Sequence, residues 1–114
     1  MAGYKVVDIE EGWPSAAEAL AVVEQEVRNG RQRRYVAVKL IHGYGSSGRG
    51  GRIRAAVRQY VQRQQAAGKI QGWIPGEDFS IFHSSTLQLL ARCPQVRKDS
   101  DLERGNRGVT FIIL

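Results

Sequence analysis

A glycine-rich stretch in the first half of the chain constrains the fold more than any other feature. Residues 39–61 read KLIHGYGSSGRGGRIRAAVRQYV: an apolar, β-branched run, five glycines within nine residues, and then an arginine-bearing pattern with helical spacing. Because glycine loses more backbone freedom on folding than any other residue, such a loop is entropically costly. We therefore expect a strand, a loop and a helix in which the bare backbone of the loop approaches a ligand.

The rest of the chain surrounds this unit with strands and helices in alternation. Ser15 and Glu18 have the spacing of a capping box, which opens a helix whose apolar residues form one stripe. Short β-branched runs bounded by turn residues predict the strands. The predicted strands are 4–9, 35–41, 69–74 and 108–114, and the two predicted helices run from Ser15 to Gly30 and from about Arg52 to Gly68.

This alternation predicts an α/β fold with parallel pairing and right-handed crossovers. The last strand, 108–114, is apolar enough to be central in the sheet despite its terminal position. Between the last two strands lies a long segment, 76–107, with a helical pattern near 84–91 and a polar remainder that we expect to be a mobile loop. At 114 residues, the chain is predicted to be a single domain, 1–114.

Positive charge is concentrated in the middle of the sequence. Eleven Lys or Arg residues and no Asp or Glu occur from Arg28 to Lys69, and all eleven acidic residues lie in the two flanks. An unbalanced cationic surface repels itself, so it favours an anionic partner. Nucleic acid is the favoured partner, and a phosphorylated small molecule and an acidic protein are the alternatives.

Other partners and compartments are disfavoured by composition. No apolar run approaches the roughly 18–20 residues that cross a bilayer, so we expect no membrane partner. A single cysteine, Cys93, predicts a buried or half-buried thiol and no disulfide-linked partner. These features are typical of a cytoplasmic protein.

The glycine loop and the helix after it have the residue types of a phosphate site. Glycines permit close approach of the backbone, the start of a helix presents free N–H groups, and guanidinium groups fit phosphate oxygens. An aromatic side chain in the loop can stack on a base. No Gly-Lys-Ser/Thr follows, so a nucleoside triphosphatase loop is disfavoured, and a plain flexible crossover is the alternative. The predicted binding residues are Gly43, Tyr44, Gly45, Ser46, Ser47, Gly48, Arg49, Arg52, Arg54 and Arg58.

Three side chains near the ends of the first two strands are the catalytic candidates. His42 follows the second strand, Asp8 lies near the end of the first and Glu10 follows it, so parallel pairing would bring them together where ligands of open α/β sheets bind. His42 is a candidate general base, and the alternative is a structural or phosphate-contacting histidine. Together the three could hold Mg²⁺ or Mn²⁺, although acids that cap turns or face solvent are commoner, and no metal site is assigned.

Taken in order, the motifs resemble those of the small MutS-related (Smr) domain family. The chain has "VDI" in the first strand, "AEAL" in the first helix, "IHGYG" before the arginine-bearing "RIRAAVRQYV", and a final "GVTFIIL" similar to the family's GxTxVxL ending. The resemblance covers residues 4–75 and 108–114. It implies a compact βαβαββ two-layer sandwich, related to the C-terminal domain of a bacterial translation initiation factor, in a protein that binds or nicks DNA or cleaves RNA.

Two departures from the family pattern bear on activity. Family members carry LDLHG in the first strand, where Asp and His are implicated in catalysis, whereas this chain has "VDIEEG", with Asp8 retained and Glu10 in place of the histidine. The segment 76–107 and the loop residues "SSGRGG" are longer than usual. The resulting hypothesis is a nucleic-acid-binding Smr-like domain, with structure-selective endonuclease activity as its enzymatic form; the alternatives are a non-catalytic binder of ribosomal or structured RNA and a phosphorylated small-molecule binder.

Overall fold

A four-stranded mixed sheet forms the centre of the molecule. The computed structural model describes residues 3–43 and 49–114, with the backbone alone at 49 and 50. Two short 3-10 helices, Gly76–Asp78 and Pro94–Lys98, lie before and after the third α-helix in the sequence. The strands and helices in chain order are β1 Tyr4–Asp8, α1 Ala16–Gln32, β2 Ala37–Ile41, α2 Arg49–Ala66, β3 Gly72–Pro75, α3 Ser84–Arg92 and β4 Val109–Ile113.

The order of strands across the sheet is β1-β2-β4-β3. β1 pairs with β2 in parallel, and β4 is antiparallel to both β2 and β3, so β1, β2 and β3 all point the same way. The predicted α/β class, the parallel first pair and the central position of the last strand are confirmed. Because β1, β2 and β3 share a direction, their carboxyl ends meet at one edge of the sheet, beside the start of α2.

Helix α1 begins as predicted and ends later than predicted. Ser15 Oγ accepts a hydrogen bond from the Glu18 backbone N–H at 3.1 Å, and Glu18 Oε1 accepts one from the Ser15 N–H at 2.9 Å, which completes the capping box. The predicted end at Gly30 is wrong, because Gly30 lies inside the helix. A Cβ at Gly30 would come within 2.7 Å of the Leu114 side chain and 3.3 Å of Val38, so glycine lets the helix approach the sheet closely.

One core layer lies between the sheet and the first two helices. Val23 and Val27 of α1 pack with Ile53 and Val57 of α2 against β2, and all four side chains are buried. Burial of aliphatic side chains of this size contributes about 1.5–3 kcal/mol each. On this face α2 lies beside α1 and contacts β3. Its arginines Arg54 and Arg58 therefore lie near Glu77, just beyond the carboxyl end of β3.

The long segment between β3 and β4 covers the other face of the sheet. Phe79, Leu89 and Val96 from this segment pack with Phe111 of β4, and the Phe79 and Phe111 rings lie 4.3 Å apart between centroids. The predicted short helix is present as α3, with His83 at its N-cap position. The predicted mobility of the rest of the segment stays a prediction.

A buried lysine joins this segment to β2. Lys39 is 4 % exposed, and its Nζ lies 2.7 Å from Asp99 Oδ1 and 2.5 Å from Asp101 Oδ2. The Tyr4 hydroxyl donates to Asp99 Oδ2 at 2.7 Å, and Asn106 Nδ2 donates to Asp101 Oδ1 at 2.8 Å. The ammonium is therefore fully compensated inside the protein and is not part of a cationic surface.

The lone cysteine is buried in the same apolar layer. Cys93 is a free thiol at the end of α3, and its Sγ donates to Gln95 Oε1 at 3.1 Å. None of the helices in the described ranges combines the length and the apolar composition that crossing a bilayer requires.

Candidate functional site

The carboxyl ends of β1 and β2 place the three candidate catalytic residues at one edge of the sheet. Asp8 lies opposite Ile41 in the parallel register, and the Ile9 N–H donates to the Ile41 carbonyl at 3.0 Å. His42 directly follows β2, and Glu10 lies two residues beyond the end of β1. All three residues lie at this edge of the sheet, but the His42 side chain is buried there whereas the Asp8 side chain is exposed.

His42 is a buried part of the core. Its side chain is inaccessible to solvent, with Nδ1 2.6 Å from the Gly43 carbonyl oxygen and Nε2 2.8 Å from Thr110 Oγ1. Because a carbonyl oxygen only accepts, we assign the proton to Nδ1, and Nε2 of the neutral ring then accepts from the Thr110 hydroxyl. Both ring nitrogens are thus used inside the protein.

The protonation state of His42 agrees with this assignment. Burial lowers its pKa most, the hydrogen bond to Gly43 partly offsets that effect, and the positive charges of Arg58 and Arg54 lower it further, to about 4. The imidazole is therefore neutral at pH 7. A buried neutral ring with both nitrogens hydrogen-bonded is a positioning group for the backbone that follows it.

The backbone after β2 is anchored to the start of β4. The N–H groups of His42 and Gly43 both donate to the Gly108 carbonyl, at 2.9 and 3.0 Å. Gly43 has φ +72°, and a Cβ there would collide with the Glu10 carboxylate. The positive φ therefore favours glycine at this position, next to the Glu10 carboxylate.

Asp8 closes the turn that follows β1. Its side chain is exposed, and Oδ1 accepts the backbone N–H groups of Glu10 at 2.9 Å and Glu11 at 3.1 Å. Neither Asp8 nor Glu10 has a hydrogen bond to the His42 ring in the described part of the chain. Among the described residues, no group of three or more His, Cys, Asp or Glu side chains could hold a metal ion.

Two of the predicted phosphate-binding arginines are held by a carboxylate. Arg58 makes a bidentate pair with Glu77, at 2.8 and 3.2 Å, and Arg54 Nη2 lies 3.1 Å from Glu77 Oε2. The Arg58 guanidinium also lies over the Trp73 ring, 5.7 Å from its centroid. Burial raises the pKa of Glu77, but the Arg58 hydrogen bond and the charges of both arginines outweigh it and lower that pKa to about 2. Glu77 therefore stays ionised and occupies both guanidinium groups.

Of the other predicted binding residues on α2, the structure describes the side chain of Arg52. Arg52 is exposed on α2 and lines a cleft of about 450 Å³ with Trp13, which is 71 % exposed and has φ 57°. Tyr44, Gly45, Ser46, Ser47 and Gly48 lie outside the described residues, as does the side chain of Arg49.

Sequence reasoning missed two residues that shape this edge. Thr110 is the only polar residue in the strand "VTFII", and that position was a signal that its hydroxyl has a buried partner. Glu77 gave no local signal, because it lies 23 residues from Arg54 and 19 from Arg58 in the sequence.

The fold and the residues at the carboxyl edge of the sheet define a small α/β domain. In it, the buried His42 holds the backbone at the start of a glycine-rich stretch that precedes a basic helix. A model of the Smr domain family matches residues 14–77, more than half of the chain. The chain therefore belongs to the Smr domain family, which is associated with nucleic-acid binding and endonuclease activity.

A solved structure supports the fold. The chain is similar to the Smr domain of MutS2 from Thermus thermophilus in its crystal structure, with a TM-score of 0.60, 22 % sequence identity and 96 % of each chain covered. No curated protein matches the chain. The structural match extends over the segment between β3 and β4 as well as the motifs noted in the sequence.

Proposed function

We propose that this Smr domain binds the phosphodiester backbone of nucleic acid with the cationic surface around α1 and α2. The observation that carries the proposal is the distribution of charge compensation. Lys39 is buried with two aspartates, and Arg54 and Arg58 share Glu77. In the described ranges, the other cations between positions 28 and 69 are exposed with no carboxylate within 4.0 Å: Arg28, Arg31, Arg33, Arg34, Arg52, Arg63 and Lys69.

This arrangement favours phosphate over a single acidic side chain. A guanidinium group donates two parallel hydrogen bonds to phosphate oxygens, and a backbone of regularly spaced phosphates can neutralise many cations at once. Backbone contacts carry no base information, so selectivity is expected for shape rather than for sequence.

Binding is tested by fluorescence anisotropy with duplex DNA, duplex RNA and single-stranded RNA over a range of salt concentrations. Arg52→Ala should lower the slope of log affinity against log salt by roughly 0.7–0.9, because one phosphate contact is lost. Arg97→Ala is the matched control, since Arg97 is an exposed arginine on the other face of the sheet. An affinity that does not change with salt would contradict the proposal.

Hydrolysis is the second candidate function, and the exposure of Asp8 beside Glu10 favours it. His42 is neutral and fully engaged, so among the described candidates the Asp8 carboxylate, with Glu10 beside it, is left to orient or deprotonate water. The substrate would be supercoiled plasmid or structured RNA, assayed with and without Mg²⁺ or Mn²⁺. Asp8→Asn keeps the oxygen that accepts from Glu10 and Glu11, so loss of nicking with unchanged or slightly tighter binding would support a catalytic carboxylate.

Two variants make the test of hydrolysis decisive. Glu11→Gln removes a neighbouring exposed carboxylate and should leave cleavage intact. Glu10→His introduces the residue of the family motif and should raise activity. No detectable cleavage by the parent, together with no gain from Glu10→His, would leave a binding module.

A further inference from the structure

We infer that one part of this cationic surface, the groove between the C-terminal halves of α1 and α2, is a second contact for the backbone of a nucleic-acid duplex, in addition to the contact of Arg52 at the carboxyl edge of the sheet. This inference rests on the proposed function. The groove has a volume of about 460 Å³, and its cationic lining consists of Arg28 and Arg31 from α1, Arg63 from α2, and Lys69 just beyond α2. We refer to it as the interhelical groove.

The groove carries a net positive charge that the described protein does not neutralise. Four cations face one acidic lining residue, Glu24, and in the described part of the chain none of the four has a carboxylate within 4.0 Å. The Arg28 guanidinium donates instead to the neutral Gln25 side chain, at 3.0 Å. Unpaired like charges in one groove favour an anionic occupant.

The helix dipole explains only part of this cluster. Arg31 and Arg63 lie in the last turns of α1 and α2, where a cation stabilises the negative end of the helix. Arg28 lies a turn earlier, and Lys69 lies outside α2, so the dipole does not account for either. Arg28 and Lys69 are therefore the two cations that argue most directly for an anionic ligand in the groove.

The chemistry of the groove favours a duplex backbone over a single strand. Its polar lining also includes the amides of Gln59 and Gln64, which can contact phosphate and sugar oxygens. Tyr60 is the aromatic residue of the lining and is half-buried, packed against the core. Proteins that bind single strands depend on exposed aromatic rings for stacking, and the described lining of this groove offers none.

The groove lies at the opposite end of α2 from the carboxyl edge. Arg52 and Arg63 are eleven positions apart, which corresponds to roughly 16 Å along the helix, and the whole of α2 is roughly 27 Å long. Phosphates repeat about every 3.4 Å along each strand of a duplex, so roughly eight base pairs match the length of α2. A longer duplex can therefore contact both regions, whereas a much shorter one can contact only one.

The test compares two ligand lengths and two pairs of substitutions. The test variant is the double substitution Arg28→Gln/Lys69→Gln, and the matched control is Arg97→Gln/Lys98→Gln, which removes two exposed cations on the other face. All four side chains are exposed, and thermal unfolding verifies that both proteins fold. The ligands are DNA and RNA duplexes of about 16 base pairs and a covalently closed stem of about 5 base pairs.

We expect the groove variant to bind the long duplex at least roughly tenfold more weakly than the parent, with a salt slope lower by about 1.8 for two lost phosphate contacts. It should lose less affinity for the short stem, because the stem can still bind at the carboxyl edge, whereas Arg52→Ala should weaken binding of both ligands. The control variant should keep the affinity and slope of the parent for the long duplex.

Two results would overturn the inference while leaving the proposed function standing. One is parental affinity and salt slope of the groove variant for the long duplex. The other is direct binding of poly-glutamate to the parent that the groove substitutions abolish while they leave the affinity for the long duplex unchanged, which would mark a site for acidic proteins. A parent that binds no nucleic acid of any length would overturn both the proposed function and this inference.

Discussion

Nε2 of His42 accepts a hydrogen bond from Thr110 Oγ1 at 2.8 Å, and this bond joins the end of β2 to the neighbouring β4 inside the core. The other ring nitrogen is bonded to the Gly43 carbonyl, so the imidazole fixes the first residue of the glycine loop relative to the sheet. The histidine of the HGYG motif is in this chain a structural anchor of the loop.

The first prediction concerns pH. His42 has a pKa of about 4 in the folded protein, below the ordinary value of 6.5, so between these values the unfolded chain binds more protons than the folded one. Stability is then fully present above about pH 6.5 and falls as pH drops toward 4, by roughly 3 kcal/mol at most. Urea unfolding at a series of pH values measures this loss. His42→Gln should flatten the profile in that window, and His83→Gln, which keeps the buried imidazole, should not.

The second prediction concerns the hydroxyl partner of that histidine. Thr110→Val keeps the shape of the side chain but leaves His42 Nε2 buried without a donor, which costs about 1–3 kcal/mol. The free energy of unfolding from urea titration should fall by this amount, while Thr110→Ser, which keeps the hydroxyl, should recover much of it. Equal losses for the valine and serine variants would show that the methyl group, and not the hydrogen bond, is what matters.

The third prediction concerns Glu77. Its carboxylate holds the guanidinium groups of Arg54 and Arg58, so Glu77→Gln should release positive charge toward a phosphate ligand. We expect affinity for duplex nucleic acid to rise roughly threefold or more, with a steeper dependence on salt. Glu103→Gln removes the same charge where the carboxylate binds Ser80 and Ile81, and should have no such effect. A Glu77 variant with the affinity of the parent would show that these arginines do not contact the ligand.

Local patterns were sufficient for the elements of the fold. The Ser15 and Glu18 pair predicts its helix start because both hydrogen bonds of a capping box form within four residues. The uninterrupted apolar character of "GVTFIIL" predicts a central strand because a strand covered on both faces has no polar side to show. These are consequences of short-range chemistry, and the structure confirms them.

The parts that the sequence could not reveal depend on contacts between distant positions. Gly30 reads as a helix end, but its role is to admit Leu114, 84 positions away, against the helix. Lys39 reads as part of the basic block, although Asp99 and Asp101 neutralise it from 60 and 62 positions away. The prediction of the candidate site was affected most, because the charge of that site depends on which arginines lie next to a carboxylate in the folded chain.

The fourth prediction concerns the buried lysine. Lys39→Met would leave Asp99 and Asp101 without their cation in a largely buried site, which should lower the free energy of unfolding by about 3–5 kcal/mol. The triple variant with Asp99→Asn and Asp101→Asn as well should regain part of that loss, because no uncompensated charge remains. Urea denaturation of the parent, the single and the triple variants gives the comparison, and a triple variant no more stable than Lys39→Met would contradict this account.

The last prediction concerns Gly76, which begins the turn after β3. A Cβ at this position would collide with the Asn106 carbonyl oxygen and would lie 2.7 Å from Val109 Cγ2 and 2.9 Å from the Val109 carbonyl oxygen. Backbone atoms of a paired strand cannot move aside cheaply, so Gly76→Ala should lower the free energy of unfolding by about 3 kcal/mol or more.

The effect should extend beyond the turn itself, because Asn106 donates to Asp101 and accepts from the Gly108 N–H, next to the carbonyl that anchors His42 and Gly43. Gly72→Ala is the control. A Cβ at Gly72 would meet only Ile113 Cδ1, at 3.9 Å, an ordinary contact, so its cost should stay within about 1 kcal/mol. Urea denaturation, with an unchanged m-value for both proteins, compares the free energies of unfolding of the two variants. Equal stability of the two would mean that the 76–107 segment can shift away from β3 without a loss of stability.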